Sequence, residues 1–430
     1  MVAVRRTTAH LAPMSSIPAS VPAKKEPGFV EFVCLIALMM ALNALAIDSM
    51  LPALPAIGAD LGVVNENSRQ WVVTAYLLGF GGAQLIYGPV ADRFGRKSVL
   101  LFGVGLYVVF SLLATLAPTF EMLILARIGQ GLGSACTRVL AVSIVRDRYE
   151  GRTMARVMSF SFLVFLGVPI LAPSLGQLIM LVGPWRWIFA GLGLIGVALI
   201  VWAGLRLPET LKPEDRLPIQ VKRLTSAYRT ALTDRTAIGY TLAMTAITGA
   251  LFGFINSSQQ IFADVFDAEA AFPAVFALIA GGIAVASLVN ARLVVKLGSR
   301  KISHTALIGF TAVSALHAAV ALSGHETIWT FAVLQTLTMF CFGLIAGNFG
   351  AMAMETMGHI AGTAASIQGF ISTVFGSLLG FAVGQQFNGT TVPMAAGFTV
   401  FGLIALGLVL FAERGRLFQA HHRPSAARPA

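Results

Sequence analysis

The chain has 430 residues, of which 57% are hydrophobic and only 11% charged. Soluble domains carry about 25% charged residues, so a normally wetted globular surface is excluded and an integral membrane protein is indicated. The formal net charge of +11 suits basic cytoplasmic loops better than nucleic-acid binding. Cys34, Cys136 and Cys341 are each isolated in an apolar run, which leaves no disulfide or metal-ligand framework.

In chain order, residues 1–28 begin basic but hold no unbroken apolar core, and read as a disordered cytoplasmic tail rather than a cleaved leader. The apolar runs that follow are near-continuous over about 20 residues, which selects helices over alternating barrel strands. Twelve spans are predicted at 29–51, 71–91, 98–117, 120–145, 157–182, 187–205, 237–262, 272–291, 302–322, 328–352, 362–386 and 394–412. With the N-terminus inside, 26 of the 30 Lys and Arg fall in inner segments, and only Arg69 and Arg186 fall in outer loops. That asymmetry places both termini in the cytoplasm. Trp71, Trp185, Trp187 and Trp329 then sit at outer ends, where an aromatic belt forms.

The longest polar stretch between spans, 206–236, divides the chain into two six-span bundles, 29–205 and 237–412, with a cytoplasmic tail at 413–430. A repeat supports the division: DRFGRKS (92–98) follows span two and VKLGSRKI (295–302) follows span eight, with Gly95 aligned to Gly298. Two related six-span halves are the architecture of many secondary transporters. Asp92 aligns with Val295, so a charged inner latch is expected mainly in the first half.

Few groups in the spans carry chemistry. Asp48 lies about four residues inside the outer end of span one, and Arg127 about eight residues inside that of span four. At 1.5 Å per residue their depths differ by about 6 Å, so the two could meet or bridge through water. Burial favours the neutral acid and a nearby guanidinium the carboxylate, and a carboxyl between those influences can carry a proton. Asp48 reads alternatively as one member of a structural ion pair, or as a headgroup-level acid before Pro52. Arg127 and Arg138 are close to three turns apart and share a face, expected to line a cavity; Arg138 equally reads as a residue at a wet inner mouth. Pro169, Pro173 and Gly176 allow span five to bend and pack closely. Gly376, Gly380 and Gly384 form a smooth ridge on span eleven, which close packing alone explains equally well. Tyr76, Gln84, Gln130, Asn256 and Asn348 are polar groups in apolar spans, candidates for substrate contact or for bonds between helices. Glu31 is expected at the inner boundary beside Lys24 and Lys25, and His317, with no partner visible in the sequence, reads as structural.

GPVADRFGRK (88–97) resembles the signature between spans two and three of the major facilitator superfamily. RIGQGLGSA (127–135) is similar to its fourth-span motif, and GVPILAPSLGQ (167–177) to the fifth-span motif of proton-coupled exporters. AIDSMLPALPAI, IVRDRYEG, GPWRWIF and AGTAASIQGF resemble the bicyclomycin/chloramphenicol-resistance (Bcr/CflA) branch of drug:proton antiporters. The resemblance runs from about residue 30 to 410. It implies an all-α membrane protein of two pseudo-symmetric six-helix bundles, working by alternating access and exporting small amphipathic molecules in exchange for protons.

In that frame Asp48 and Arg127 couple protons, and Gly88, Asp92, Arg93, Gly95, Arg96, Pro169, Pro173 and Gly176 serve the gate and its movement. Tyr76, Gln84, Gln130, Arg138, Asn256 and Asn348 are the substrate-contact candidates. An apolar residue is expected at position 138 in the family, and the arginine there shifts substrate preference towards neutral or anionic compounds. No cofactor or metal is expected beyond the proton, and the partners are a small substrate and the lipid bilayer, with the chain a monomer. The alternative is proton-coupled transport of one specific metabolite. An enzyme is disfavoured, since HExxH spacing is absent and the seven histidines are scattered.

Overall fold

A computed structural model describes residues 27–218 and 221–419. Nearly all of the expected N-terminal tail, with Lys24 and Lys25, and the end of the C-terminal tail lie outside the described residues. Those described contain helices and no strand. They are α1 (Phe29–Asp48), α2 (Leu54–Asp60), α3 (Trp71–Phe94), α4 (Arg96–Thr115), α5 (Phe120–Arg148), α6 (Gly151–Val182) and α7 (Arg186–Arg206). After these come α8 (Val221–Thr233), α9 (Arg235–Gln260), α10 (Phe272–Leu297), α11 (Ser299–Leu322), α12 (Ile328–Ala353), α13 (Ala361–Gly384) and α14 (Val392–Ala412).

Eleven of these, α1 and α4 to α7 with α9 to α14, are long and apolar enough to cross a membrane. The remaining long helix, α3, has 24 residues but is diluted by Gly79, Gly81, Gly82, Gly88, Thr74, Gln84, Asp92 and Arg93. Its surroundings account for that composition. It packs against α5 on one side and α13 on the other, so small residues serve it better than the large aliphatics a lipid-facing helix needs.

Local sequence sets the helix ends. The Thr119 hydroxyl accepts from the Met122 amide at 3.3 Å at the start of α5, and the Asp234 carboxylate accepts from the Ala237 amide at 2.8 Å at the start of α9. Such caps satisfy amides that the helix leaves without partners. Between α3 and α4 the chain turns on Gly95 at φ 98°, and between α10 and α11 on Gly298 at φ 78°. These are conformations glycine adopts without the steric penalty of a Cβ. The helix α8 is an amphipathic segment within the polar stretch 206–236 and rests on α9 and α13.

The packing repeats. In the first set, α1 meets α6 and α7, α3 meets α5, and α4 meets α5 and α7; in the second, α9 meets α13 and α14, α10 meets α12, and α11 meets α12 and α14. The contacts between the sets are paired in the same way, α3 with α13 and α10 with α6. Glycines make these approaches possible. A Cβ on Gly131 of α5 would collide with the Tyr76 carbonyl of α3, and one on Gly380 of α13 would stand 2.6 Å from the Gly253 amide of α9. Pro169 and Pro173 lie within α6, which nonetheless runs unbroken from Gly151 to Val182.

Candidate functional site

Asp48 is the last residue of α1 and is only 4% exposed. No hydrogen bond or ion pair reaches its carboxylate among the described residues. The next residue, Ser49, turns its hydroxyl back to the Leu45 carbonyl at 2.6 Å. Against this corner packs Gly176 of α6, where a Cβ would strike the Ser49 carbonyl and approach Pro52 Cγ to 3.1 Å. The fifth-span glycine therefore bears directly on the turn that carries the acid.

Arg127 is fully buried. Its Nε donates to the Val72 carbonyl at 2.8 Å, its Nη2 to the Ala46 carbonyl at 3.0 Å, and its Nη1 to Gln130 Oε1. The expected match in depth with Asp48 holds, because Ala46 is two residues before the acid. The expected meeting does not occur: the guanidinium is satisfied by backbone and amide oxygens, which hold it without a counter-charge. Its Cζ also lies 4.4 Å from the centre of the Tyr76 ring, within cation–π range.

Tyr76 and Gln130 are correspondingly withdrawn from any cavity in this state. Tyr76 Oη donates to Ser134 Oγ at 2.7 Å and lies 3.0 Å from Asn43 Oδ1, while Asn43 Nδ2 donates to Thr137 Oγ1 at 3.0 Å. Gln130 Nε2 donates to Ser111 Oγ at 2.8 Å. The network ties α1, α3, α4 and α5 together, and all its side chains are buried.

The three-turn spacing of Arg127 and Arg138 does not give them one environment, because Arg127 folds back into the bundle. Arg138 is exposed, with its Cζ 6.0 Å from the centre of the Phe80 ring. Phe80 stacks on Tyr76 with centroids 6.2 Å apart and planes within 7°, so two guanidinium groups bracket one aromatic pair. One turn along α3 from Phe80, Gln84 Nε2 donates to Thr373 Oγ1 of α13 at 3.3 Å. This face of α3 is thus the seam between the two helix sets, and Arg138 hangs beside it.

At the end that the Lys/Arg asymmetry assigns to the outside, the sets are joined by amides. Gln70 Nε2 donates to Gln260 Oε1 at 2.7 Å and to the Gly384 carbonyl at 3.1 Å, and Gln385 Nε2 donates to Gln70 Oε1 at 3.3 Å. Asn67 Nδ2 donates to the carbonyls of Gln385 and Phe387 at 3.2 and 3.1 Å. Asn67 in turn accepts from Gln260 Nε2 at 2.8 Å and, at its carbonyl, from Gln385 Nε2 at 2.7 Å. Asn256 Nδ2 reaches Thr74 Oγ1 at 3.4 Å deeper in the same seam. Gly384, the last member of the α13 ridge, leaves the space that the Gln70 amide fills; Gly376 and Gly380 pack on α9 instead. Asn348 stays within the second set, donating to Asn290 Oδ1 at 2.6 Å.

At the opposite ends, which the same asymmetry assigns to the inside, each set carries an ionic cluster. Arg96 Nη1 bonds Asp92 at 2.6 Å and its Nε bonds Asp147 at 3.0 Å. Glu209, just past α7, accepts from the Arg96 amide at 2.7 Å and the Lys97 amide at 3.2 Å, capping α4. Gly95 leaves room for this carboxylate, since a Cβ there would stand 2.5 Å from Glu209 Oε2. Gly88 faces the seam, its Cβ direction pointing towards Ser366 Oγ of α13 at 3.7 Å. Arg93 takes no part in the cluster and lies over its neighbour Phe94.

The expectation of a one-sided arrangement is corrected by the second set. There Arg300 bonds Glu355 and Glu413, both at 2.8 Å, and Glu413 also accepts from Tyr240 Oη at 2.6 Å. The acid lost at Val295 is replaced by Glu355 and Glu413, just past the ends of α12 and α14. Glu31, whose expected neighbours Lys24 and Lys25 lie outside the described residues, bonds Arg206 at 2.6 and 2.7 Å and Trp202 at 3.2 Å, and His317 is paired with Glu326 at 2.7 Å. Among the described residues no group of three or more His, Cys, Asp or Glu is placed to hold a metal.

Comparison with known proteins places this geometry in context. The sequence profile described as "Major Facilitator Superfamily" matches residues 36–381. A Bacillus subtilis protein described as an uncharacterized MFS-type transporter, YdgK, is 30% identical over 84% of this chain and 90% of its own. A Haemophilus influenzae protein named bicyclomycin resistance protein homolog is 26% identical over 88% and 95% respectively. The Escherichia coli multidrug resistance protein MdtL is 29% identical over 90% and 97%. Among solved structures, a bacterial homolog of the human lysosomal transporter Spinster, inward-facing and occupied, superposes with a TM-score of 0.70 at 15% identity, covering 91% of this chain and 98% of that one.

Proposed function

Because the chain belongs to the Major Facilitator Superfamily, we propose that it is a multi-pass exporter of the inner membrane that moves small amphipathic molecules outward in exchange for protons. Relatives named for bicyclomycin and multidrug resistance support the direction and the substrate class. The observation that carries the coupling is Asp48, a buried carboxyl with no partner among the described residues, standing on the corner where α1 meets Gly176 of α6. Such an acid exchanges its proton only when a change in conformation wets it. Movement of α6 against Ser49 is the natural way for that to happen.

In this reading the amide clasp holds the outer face shut while the inner face admits substrate. Arg127 keeps α1, α3 and α5 in register by donating to Ala46 and Val72. Proton entry from outside and release within would drive the cycle, the membrane potential contributing about 2.3 kcal/mol per charge per 100 mV. The test is accumulation of a compound panel by proteoliposomes under an imposed pH gradient, wild type against Asp48→Asn. The wild type should move compound against its gradient and the variant only down it. If Asp48→Asn accumulates compound as well as wild type, the acid does not carry the proton.

A further inference from the structure

We propose that the site between the two helix sets selects amphipathic molecules that carry a negative charge, a carboxylate or sulfonate on an apolar body, and that Arg138 binds the charge. This rests on the transport reading above and specifies its substrate class.

Arg138 is exposed beside the seam, yet it lies ten residues from the inner end of α5, roughly 15 Å along the helix. Among the described residues it has no hydrogen-bond or ion-pair partner, only the Phe80 ring. The other guanidinium of the aromatic sandwich differs. Arg127 is enclosed, with three oxygen acceptors and a closer ring. One cation is thus built into the fold and the other is left open.

No protein acid is placed to neutralise Arg138. Helices α6, α9, α10, α12 and α13, which include α10 and α13, the second-set helices that pack most closely on the first, contain neither Asp nor Glu. Asp92 and Asp147 are engaged with Arg96 at the inner end. The Asn43–Thr137 bond fixes the register of α1 against α5. Asp48 lies five residues outward of Asn43, so it stands about 9 Å above Arg138 along the helix direction.

Alternating access requires the site to close around its contents. A guanidinium withdrawn from water without a counter-charge carries a heavy desolvation penalty. Water meets that need only while the cavity is open. A carboxylate on the substrate meets it in the closed state too, through the paired hydrogen bonds that a planar guanidinium fork offers. Phe80, itself only 4% exposed, packs behind the guanidinium and backs it. A neutral molecule of the same shape would leave Arg138 unpaired at closure and would be disfavoured.

The experiment measures binding of full-length protein in phosphatidylcholine nanodiscs to matched pairs of aromatic carboxylates and their amides, beginning with 2-naphthoate and 2-naphthamide. Wild type should prefer the carboxylate by at least about tenfold, as a charge-assisted bond predicts. Arg138→Gln should bring the ratio near one, while Arg138→Lys should keep part of it, showing that charge and not folding is read. The preference should persist in nanodiscs containing phosphatidylglycerol. Equal affinity for both members of every pair, a ratio unchanged in Arg138→Gln, or loss of the preference to the anionic lipid would each overturn the proposal. Because no proton gradient is applied, failure here is separate from failure of gradient-driven export.

Discussion

Truncating Gln70 should open the outer face. Its amide makes three of the hydrogen bonds that cross between the helix sets, to Gln260, Gly384 and Gln385, and the residue is 1% exposed. A net bond contributes about 0.5–1.5 kcal/mol. In the closed state Gln70→Ala also leaves the Gln260 oxygen without a donor and the Gly384 carbonyl with the Phe387 amide alone, whereas in the open state water serves both. A shift of about 2 kcal/mol follows, which changes the closed-to-open ratio by about 30-fold. An open population of about 1% would rise to roughly a quarter. Spin labels at Val64→Cys and Asn388→Cys, exposed positions on opposite sides of the clasp, report the distance by pulsed dipolar spectroscopy. Cys34 and Cys341 are first replaced by serine, and Cys136, fully buried, stays. Gln70→Ala should populate a longer distance. Gly384→Ala should do the same, because its Cβ takes the place of the Gln70 amide, and the double variant should not add to either alone. A distance distribution that Gln70→Ala leaves unchanged, or shortens, would refute the clasp.

Two further outcomes follow from the packing. Arg96→Ala should lower unfolding stability by about 2 kcal/mol, since Arg96 is buried while Asp92, its closest partner, is half exposed and screened; Arg93→Ala should change it by less than about 0.5 kcal/mol. Denaturant titration in detergent separates the two, and equal losses would contradict the cluster. Gly131→Ala should cost about 2 kcal/mol, read in a thermal-shift assay, because the obstacle is the Tyr76 backbone carbonyl and not a side chain that can move aside.

What the sequence disclosed was whatever depends on composition and on neighbours along the chain. Apolar runs place the spans, and Gly95 and Gly298 mark the turns because only a positive φ lets the chain reverse there. Asp92 and Arg96, four residues apart on adjoining helices, could be paired by inspection. The missing partners are far away in sequence. Asp147 and Glu209 complete the first cluster from the ends of α5 and α7, and Glu413 reaches Arg300 across 113 residues.

Arg127 misled for a different reason. A charge in a span suggests an opposite charge, but its acceptors are backbone carbonyls of Ala46 and Val72, and every residue type has one. The outer clasp was invisible because Asn67, Gln70, Gln260 and Gln385 are neutral residues at helix ends, a composition that ordinary loops share. Only their convergence distinguishes them.

That neutrality has a consequence for where the protein can work. Ion pairs weaken as dissolved salt thins their field over about 8 Å at physiological strength. Dipoles of buried amides are short-ranged and almost indifferent to it. The clusters at Arg96 and Arg300 each brace one helix set internally, so screening them softens a bundle but does not part the two. The contact between the sets at the outer face contains no charge to screen among Asn67, Gln70, Gln260 and Gln385. Brackish or dilute surroundings should therefore leave these amide bonds equally tight, and what salt can reach at this face is the set of charges beside them, Asp264 of the second set opposite Glu66 and Arg69 of the first.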